Sequence, residues 1–210
     1  MNDYRVDKFK NIDFSHIRDK KNNFMTMFRT NHKTAKRIYN FVGRSKDYHN
    51  SFKDTYESRC VYCGADYSFL NRLNFDIDHY IPQDSNYNLN YLHGISNLAY
   101  SCRSCNAKKL AFCSSKLENQ ILLHPDNNYY PDLFYRNSSF KICINDSYKS
   151  NQDVVTFYKQ LELGNNEKRL LYLIMLLNDF LEEKPINEKE KKARKILELA
   201  KEKFNSNNFN

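Results

Sequence analysis

Two Cys-x-x-Cys pairs constrain the fold of this chain more than any other feature of its sequence. Cys60 and Cys63 form the first pair, and Cys102 and Cys105 form the second. Each pair brings two thiolates within reach of one ion, and two pairs complete a tetrahedral Cys₄ zinc site. Gly64 suits the tight turn that points amides at the sulfurs. Four thiolates fill the coordination of zinc, so we expect a structural zinc; unrelated thiols or a redox pair are the alternatives.

Positive charge is concentrated in the first 59 residues. The 210-residue chain has a formal net charge of +8. Residues 1–59 carry 14 Lys and Arg against 7 Asp and Glu, which leaves +7, whereas residues 60–113 are neutral and residues 114–210 carry +1. This distribution predicts that a polyanionic partner is met mainly by the N-terminal third. A solvated basic face is the alternative interpretation.

Membrane and nucleotide-driven classes are disfavoured by the sequence. The longest uninterrupted apolar run, Leu170 to Leu177, is far shorter than the ~20 residues of a spanning helix. The N-terminal residues contain no apolar core of a secretory signal, so we expect a cytoplasmic protein without a membrane partner. The four glycines lie too far apart for a P-loop or a G-x-G-x-x-G turn, which argues against a nucleotide site in this chain.

The segment between the cysteine pairs has the pattern of a hairpin followed by a helix. Phe75 to Pro82 alternates apolar and polar residues as a short strand does, and Pro82 ends it. A polar loop follows, and residues 95–100 then lead into the second cysteine pair. The run after Cys105 predicts a helix whose N-cap lies near Asn106.

Five elements of this region occur in a characteristic order. Asp78-His79 is followed by Asn97-Leu98 and then by Cys-x-x-Cys-Asn-x-x-Lys, with paired cysteines on both sides. This order resembles the HNH endonuclease superfamily over residues 60–112, about a quarter of the chain. The resemblance implies an α+β fold, with a zinc-stapled ββα-metal core and mainly helical N- and C-terminal flanks.

The resemblance also implies roles for individual residues. His79 matches the general base that activates water, and Asp78 and Asn106 match the ligands of one divalent metal ion. The chemistry agrees, because an imidazole titrates near neutrality and oxygen ligands suit Mg²⁺ or Mn²⁺ better than Zn²⁺. The alternatives are a helix or turn cap for Asp78 and a helix cap for Asn106, while the nearby carboxylate of Asp76 is expected either to support the metal ligands or to be structural.

The same resemblance and the distribution of charge indicate further candidate site residues. Asn97 matches the residue whose side chain holds the loop that carries the base, although a simple turn residue is the alternative. Lys108 or Lys109 matches the basic residue that contacts phosphate. Basic side chains between the apolar positions of the N-terminal region are further candidates for nucleic-acid binding: Lys33, Lys36 and Arg37.

The flanks are predicted to be mainly helical. Apolar spacing favours a helical region over residues 4–42 that stops at Gly43. It also favours an alternating strand near residues 140–144 and three C-terminal helices, over residues 152–163, 166–184 and 187–204. The expected organisation is a basic helical region (1–59), a nuclease core (60–113), a strand-plus-helix region (114–204) and a disordered tail (205–210).

Taken together, these patterns predict an HNH endonuclease that hydrolyses phosphodiester bonds of DNA with one Mg²⁺ or Mn²⁺ and contains a structural Zn²⁺. A one-metal site cuts one strand at a time, so a double-strand break would need a homodimer or successive nicks. A weaker resemblance to defence-associated HNH nucleases of the Septu and retron-linked kind implies a role in bacterial anti-phage defence beside an ATPase subunit. Two alternatives remain open: a zinc-finger DNA-binding protein without catalysis, and an effector that is inactive until its ATPase partner binds.

Overall fold

The computed structural model describes residues 3–6, 8–10, 12–35, 37–69, 75–184 and 187–206. The chain divides into two compact units. The central unit consists of residues 13–62 and 66–130, and the terminal unit consists of residues 1–12, 63–65 and 131–210. The mixture of helices with short antiparallel strands confirms the α+β class.

Three helices open the central unit: α1 (Ile17–Asn31), α2 (Ile38–Arg44) and α3 (Lys46–Thr55). They associate through aromatic side chains at helical spacing, because Phe24 and Phe28 lie one turn apart on α1 and both are buried. The ring of Phe52 on α3 meets that of Phe24 edge to face, with 5.9 Å between centroids. The predicted stop at Gly43 is wrong, since α2 continues to Arg44.

The expected continuous helical region over residues 4–42 is also wrong. The described residues before α1 form turns and loops, and residues 32–35 and 37 separate α1 from α2. Side chains here bind the backbone and so compete with helix formation. The carboxylate of Asp13 accepts the backbone N–H of Ser15 at 2.7 Å, and Arg29 Nη1 donates to the carbonyl of Ala35 at 2.7 Å, which closes the loop after α1.

A two-stranded hairpin and a helix form the centre of this unit. Strand β1 (Phe75–His79) pairs antiparallel with β2 (Leu98–Cys102), so that Phe75 lies opposite Cys102 and His79 lies opposite Leu98. Helix α5 (Arg103–Lys109) follows β2 directly, which confirms the predicted ββα order. Because Cys102 is its N-cap, Asn106 lies inside α5 and not at the cap that the sequence predicts. Shorter elements are α4 (Leu89–Leu92), a 3₁₀ turn (Ile95–Asn97) and α6 (Leu117–Leu123).

The terminal unit contains a small hairpin and three helices: β3 (Phe134–Arg136), β4 (Ile142–Ile144), α7 (Gln152–Gln160), α8 (Asn166–Glu182) and α9 (Asn187–Asn205). The predicted strand and helices are therefore confirmed, with ends that differ by a few residues. Asparagine caps fix two of the helix starts. The Asn151 side chain accepts the N–H groups of Asp153 and Val154, and that of Asn165 accepts the N–H of Lys168.

Helices α8 and α9 bury a shared apolar seam, formed by Ile174, Leu197 and Ala200. Two other apolar residues of α9, Ile196 and Leu199, are 47% and 56% exposed. The seam on α9 is formed by Leu197 and Ala200, with Phe204 packed against it, and this spacing of three and four residues places them on one side of the helix.

Two further predictions concern the C-terminal tail and membrane-spanning helices. Helix α9 extends to Asn205, and residues 207–210 of the predicted disordered tail lie outside the described residues. Within the part of the chain that the structure describes, no helix combines the length and apolar character needed to cross a bilayer.

Candidate functional site

The four predicted thiols meet at one point. The sulfur atoms of Cys60, Cys63, Cys102 and Cys105 all lie within 4.8 Å of one another, and all four residues are buried. Four thiolates at this separation match tetrahedral Zn²⁺, in which each Zn–S bond is about 2.3 Å long. Gly64 follows the first pair with φ +76°, and a Cβ there would collide with the backbone of Arg5. The residues therefore fit the structural zinc that the sequence predicts.

His79 ends strand β1 with its ring enclosed by three side chains. The Tyr39 ring from α2 lies over it at 4.4 Å between centroids, and His93 Nδ1 is 3.3 Å from His79 Nε2. The Gln83 amide nitrogen lies 3.1 Å from Nδ1 and 3.0 Å from Nε2. Burial, followed by the charges of His93 and Lys109, lowers the pKa of His79 to about 4. The imidazole is therefore neutral at neutral pH in the metal-free chain and has a lone pair to accept a proton.

Asp78 is buried beside a hydroxyl and an ammonium group. Its side chain is 5% exposed, the hydroxyl of Tyr62 donates to Oδ2 at 2.5 Å, and Lys109 Nζ lies 3.3 Å from Oδ1. Burial raises the pKa of Asp78, while the Lys109 charge and the Tyr62 hydrogen bond oppose that shift. Burial also raises the pKa of Tyr62, so that its phenol stays protonated and donates.

Asn106 meets a different carboxylate from the one that the sequence pairs with it. Its Nδ2 donates to Asp76 Oδ2 at 3.2 Å, and the guanidinium of Arg103 approaches the same oxygen at 3.8 Å. The structure thus pairs Asn106 with Asp76 and pairs Asp78 with Lys109. Asp76 and Asn106 both border an open cleft of about 450 Å³. The other residues that line this cleft are Tyr39, Gly43, His49, Phe75, Ile77 and Arg103.

Asn97 joins two backbone segments near the catalytic candidate. It is fully buried, and its Oδ1 accepts the N–H of Ile81 at 2.7 Å. Its Nδ2 donates to the carbonyls of Ile81 and Leu92, both at 3.0 Å. These bonds connect the chain just after His79 to the segment before His93, and the role of Asn97 in holding the base stays a prediction.

The basic candidates differ in exposure. Lys109 is 1% exposed and donates to the carbonyls of His79 and Tyr80, at 3.0 and 3.3 Å. The ammonium group of Lys109 therefore lies inside the ββα core, and its contact with phosphate stays a prediction. Lys108 is half-buried on the same helix. Lys33 and Arg37 are exposed on the segment before α2, and Lys36 lies outside the described residues.

Several residues of the site are not identified by any sequence motif. Tyr39 reaches the site from α2, and His93 and Gln83 reach it from the loop between the strands. None belongs to a spaced motif, and only tertiary packing places them against His79. Arg103 is different, because its position inside the second Cys-x-x-Cys pair could have indicated that it lies beside the metal finger.

A comparison with protein families gives one match. Residues 60–112 match the family model described as HNH endonuclease, which covers about a quarter of the chain. The matched segment includes all four clustered cysteines, both strands of the first hairpin and α5. No curated protein and no solved structure matches the chain significantly.

Proposed function

We propose, from the match of residues 60–112 to the HNH endonuclease family model, that the protein hydrolyses phosphodiester bonds of DNA with the help of one divalent metal ion. One observation supports the proposal above the others. Strand β1 carries the neutral imidazole of His79 and the oxygen donors of Asp76 and Asp78, and Asn106 on α5 hydrogen-bonds Asp76 at the lining of an open cleft. A general base next to oxygen ligands is what hydrolysis of a phosphodiester needs.

In this proposal, His79 removes a proton from a water molecule that attacks the phosphorus. The new P–O bond forms as the bond to the leaving oxygen breaks, and the products are a phosphate monoester and an alcohol. Asn97 keeps the base in place through its three bonds to neighbouring backbone. Tyr39 covers one face of the imidazole and limits its exposure to bulk water.

Oxygen donors on β1 and α5 make a hard cation the fitting metal. We propose that Asp78 and Asn106 hold Mg²⁺ or Mn²⁺, which when bound stabilises negative charge on the phosphate. Asp76 lies closest to Asn106 in the metal-free chain and adds negative charge to the same cleft. Because four thiolates fill the other site, zinc there has no open position and serves the fold alone.

The DNA backbone is expected to meet the basic helical side of the cleft. Residues 1–59 carry a net charge of +7, and α2 from this region lines the cleft through Tyr39 and Gly43. Arg103, which also lines the cleft, is 59% exposed. Lys33, Arg37 and Lys108 extend the proposed contact, which would weaken steeply with salt because each neutralised phosphate releases counterions.

A partner-gated effector is the second candidate function, and one observation favours it. Asp78 is bound to Lys109 and Tyr62, so it must exchange these partners before it faces the same ion as Asn106. Binding of another subunit is one way to drive that exchange. We propose on this ground that an ATPase partner in an anti-phage defence system licenses cutting, since the chain carries no glycine-rich nucleotide loop of its own.

A plasmid nicking assay on purified wild type and His79→Ala tests the proposal. Parallel reactions contain EDTA, Mg²⁺, Mn²⁺ or Zn²⁺, and filter binding of the same plasmid serves as the control for DNA affinity. We expect nicking by wild type in Mg²⁺ or Mn²⁺ only, and a loss of about 10²- to 10⁴-fold in His79→Ala with unchanged DNA binding. Equal cutting by both proteins would refute His79 as the base. Silence of wild type in every metal, reversed by a co-purifying ATPase, would favour the gated effector.

A further inference from the structure

His93 contacts the proposed general base, although no motif of the sequence includes it. It lies between α4 and the 3₁₀ turn, on the connection that joins the two strands of the hairpin. Its Nδ1 is 3.3 Å from His79 Nε2, which is within reach of a ring N–H hydrogen bond. The ring centroids are 5.3 Å apart and the planes are nearly perpendicular, at 84°.

A neutral imidazole has one N–H and one lone pair, and only the nitrogen with the lone pair can act as a base. The group that hydrogen-bonds one ring nitrogen therefore decides which nitrogen is basic. A base whose proton sits on the wrong nitrogen is inactive even when its position is correct. The residue that hydrogen-bonds Nε2 of His79 therefore influences whether Nδ1 has the lone pair that a base needs.

The histidine pair is held together by a buried side chain. Asn97 donates to the carbonyl of Leu92, the residue before His93, and also binds both backbone groups of Ile81, two residues after His79. One amide group thus ties together the two chain segments that carry the histidines. The Tyr39 ring lies against both of them, with its centroid 4.4 Å from that of His79 and 6.4 Å from that of His93.

Gln83 is consistent with a lone pair at Nδ1. An amide nitrogen can only donate, and that of Gln83 lies 3.1 Å from Nδ1. It also lies 3.0 Å from Nε2, so it can serve whichever ring nitrogen is unprotonated. His93 Nδ1 lies at Nε2 of His79, and when it accepts a hydrogen bond there it favours the ring form with the proton on Nε2.

We propose that His93 is a positioning residue that accepts a hydrogen bond from His79 Nε2–H and thereby keeps the lone pair of His79 on Nδ1, where water is activated. The role in catalysis rests on the proposed nuclease function. The ring form of His79 does not, because it is a property of the folded chain that exists with or without cutting.

Long-range ¹H–¹⁵N correlation spectra of the full chain at neutral pH test the ring form. The chain has six histidines, and His79→Asn identifies the His79 signals by their loss. We expect wild-type His79 to carry its proton on Nε2 and His93→Ala to show a mixture of both forms. The matched control is His16→Ala, which removes an imidazole that is 66% exposed and leaves the His79 signals unchanged. A proton on Nδ1 of His79 in wild type, or the same ring form in His93→Ala, would overturn the proposal.

Kinetics separate positioning from a structural role. His93→Ala should lower kcat by about 10- to 10³-fold, within the range that general base catalysis contributes, and leave KM unchanged. His93→Gln, whose Oε1 can also accept from Nε2–H, should recover part of that loss. Loss of kcat in both variants to the same extent would count against positioning. A wild type that cuts no DNA would refute the nuclease function, while the spectra would still decide the ring form.

Discussion

The thiol cluster and the candidate oxygen ligands belong to the same ββα finger, yet their donor atoms are arranged differently. The four sulfurs lie within 4.8 Å of one another. The candidate oxygen ligands are bound to protein groups instead: Asp78 to Tyr62 and Lys109, and Asn106 to Asp76. If Asp78 and Asn106 hold the catalytic ion, as proposed, they must exchange these partners when it binds.

The difference also concerns electrostatics. Zinc at the thiol cluster would place positive charge among four buried sulfurs, and thiolates are ligands that zinc prefers. The ammonium group of Lys109 compensates the buried carboxylate of Asp78. If Asp78 holds the metal, as proposed, Lys109 competes with the metal for this carboxylate.

The largest effect is expected at the thiol cluster. Cys60→Ser removes one of four zinc ligands, and zinc contributes on the order of 10 kcal/mol to folding in small zinc modules. Since whole domains are stable by only about 5–15 kcal/mol, we expect the central unit to lose its cooperative thermal transition. Metal analysis of wild type should find one zinc per chain.

Cys143→Ser is the matched control for this change. Cys143 is a half-buried thiol that is not a member of the cluster, and its replacement should leave both zinc content and thermal transition as in wild type. A soluble Cys60→Ser protein that retains a full equivalent of zinc would contradict the structural role of the cluster.

Removal of the internal counter-ion is expected to be the next largest perturbation. Lys109→Met leaves the buried carboxylate of Asp78 without its ammonium partner, which costs about 3–5 kcal/mol for a broken buried ion pair. Urea unfolding, monitored by circular dichroism, measures this loss. Lys108→Met is the control on the same helix; it should lower stability by less than about 1 kcal/mol and weaken DNA binding instead. The reverse pattern would favour Lys109 as the phosphate contact.

These outcomes explain which parts of the site the sequence could predict. The cysteine cluster and the ββα order depend on local spacing, so two Cys-x-x-Cys pairs and one Asp-His step were sufficient. The partners of Asp78 and Asn106 depend on which side chains meet after α5 packs on β1, and spacing does not contain that information. Lys109 illustrates the limit, because adjacent lysines look equivalent in sequence while α5 turns one of them into the core.

The helical flanks show the same limit. Helices α7 and α8 were predicted from apolar spacing, a local signal, and the structure shows asparagine caps at their starts. The N-terminal region failed as one continuous helix because Asp13 and Arg29 bind nearby backbone, and such competition is not visible in apolar periodicity. The separation of α1 from α2 also explains the position of Tyr39 over His79. Helix α2 can point toward the hairpin only because it does not continue the axis of α1.

Asn97 is expected to have an intermediate effect on both stability and activity. Asn97→Ala leaves the N–H of Ile81 and the carbonyls of Ile81 and Leu92 without this partner, and each unsatisfied buried group costs about 1–3 kcal/mol. We expect a loss of about 2–3 kcal/mol by urea unfolding, with a decrease in kcat because His79 is no longer fixed. Asn178→Ala, which removes one bond to a helical carbonyl in the terminal unit, is the control and should cost less than about 1 kcal/mol. Equal losses in the two variants would contradict a special role for Asn97.

The smallest effect is expected at Asp76, and it decides which carboxylate belongs to the metal. Asp76 is 29% exposed and lies 3.8 Å from an exposed arginine, so Asp76→Asn should change the free energy of unfolding by less than about 1 kcal/mol. If Asp78 and Asn106 hold the ion, Mn²⁺ affinity measured by electron paramagnetic resonance should fall only about two- to fivefold, the effect of one lost nearby charge that water and salt screen. Asp84→Asn removes the same charge from an exposed position of the polar loop and should leave the affinity unchanged. A loss of about 30-fold or more in Asp76→Asn would instead make Asp76 the ligand. In that case Asp76 and Asn106, which already contact each other, would both belong to the metal site. The thiol cluster and the oxygen cleft would then resemble each other, because each would bring its ligands together before the ion binds.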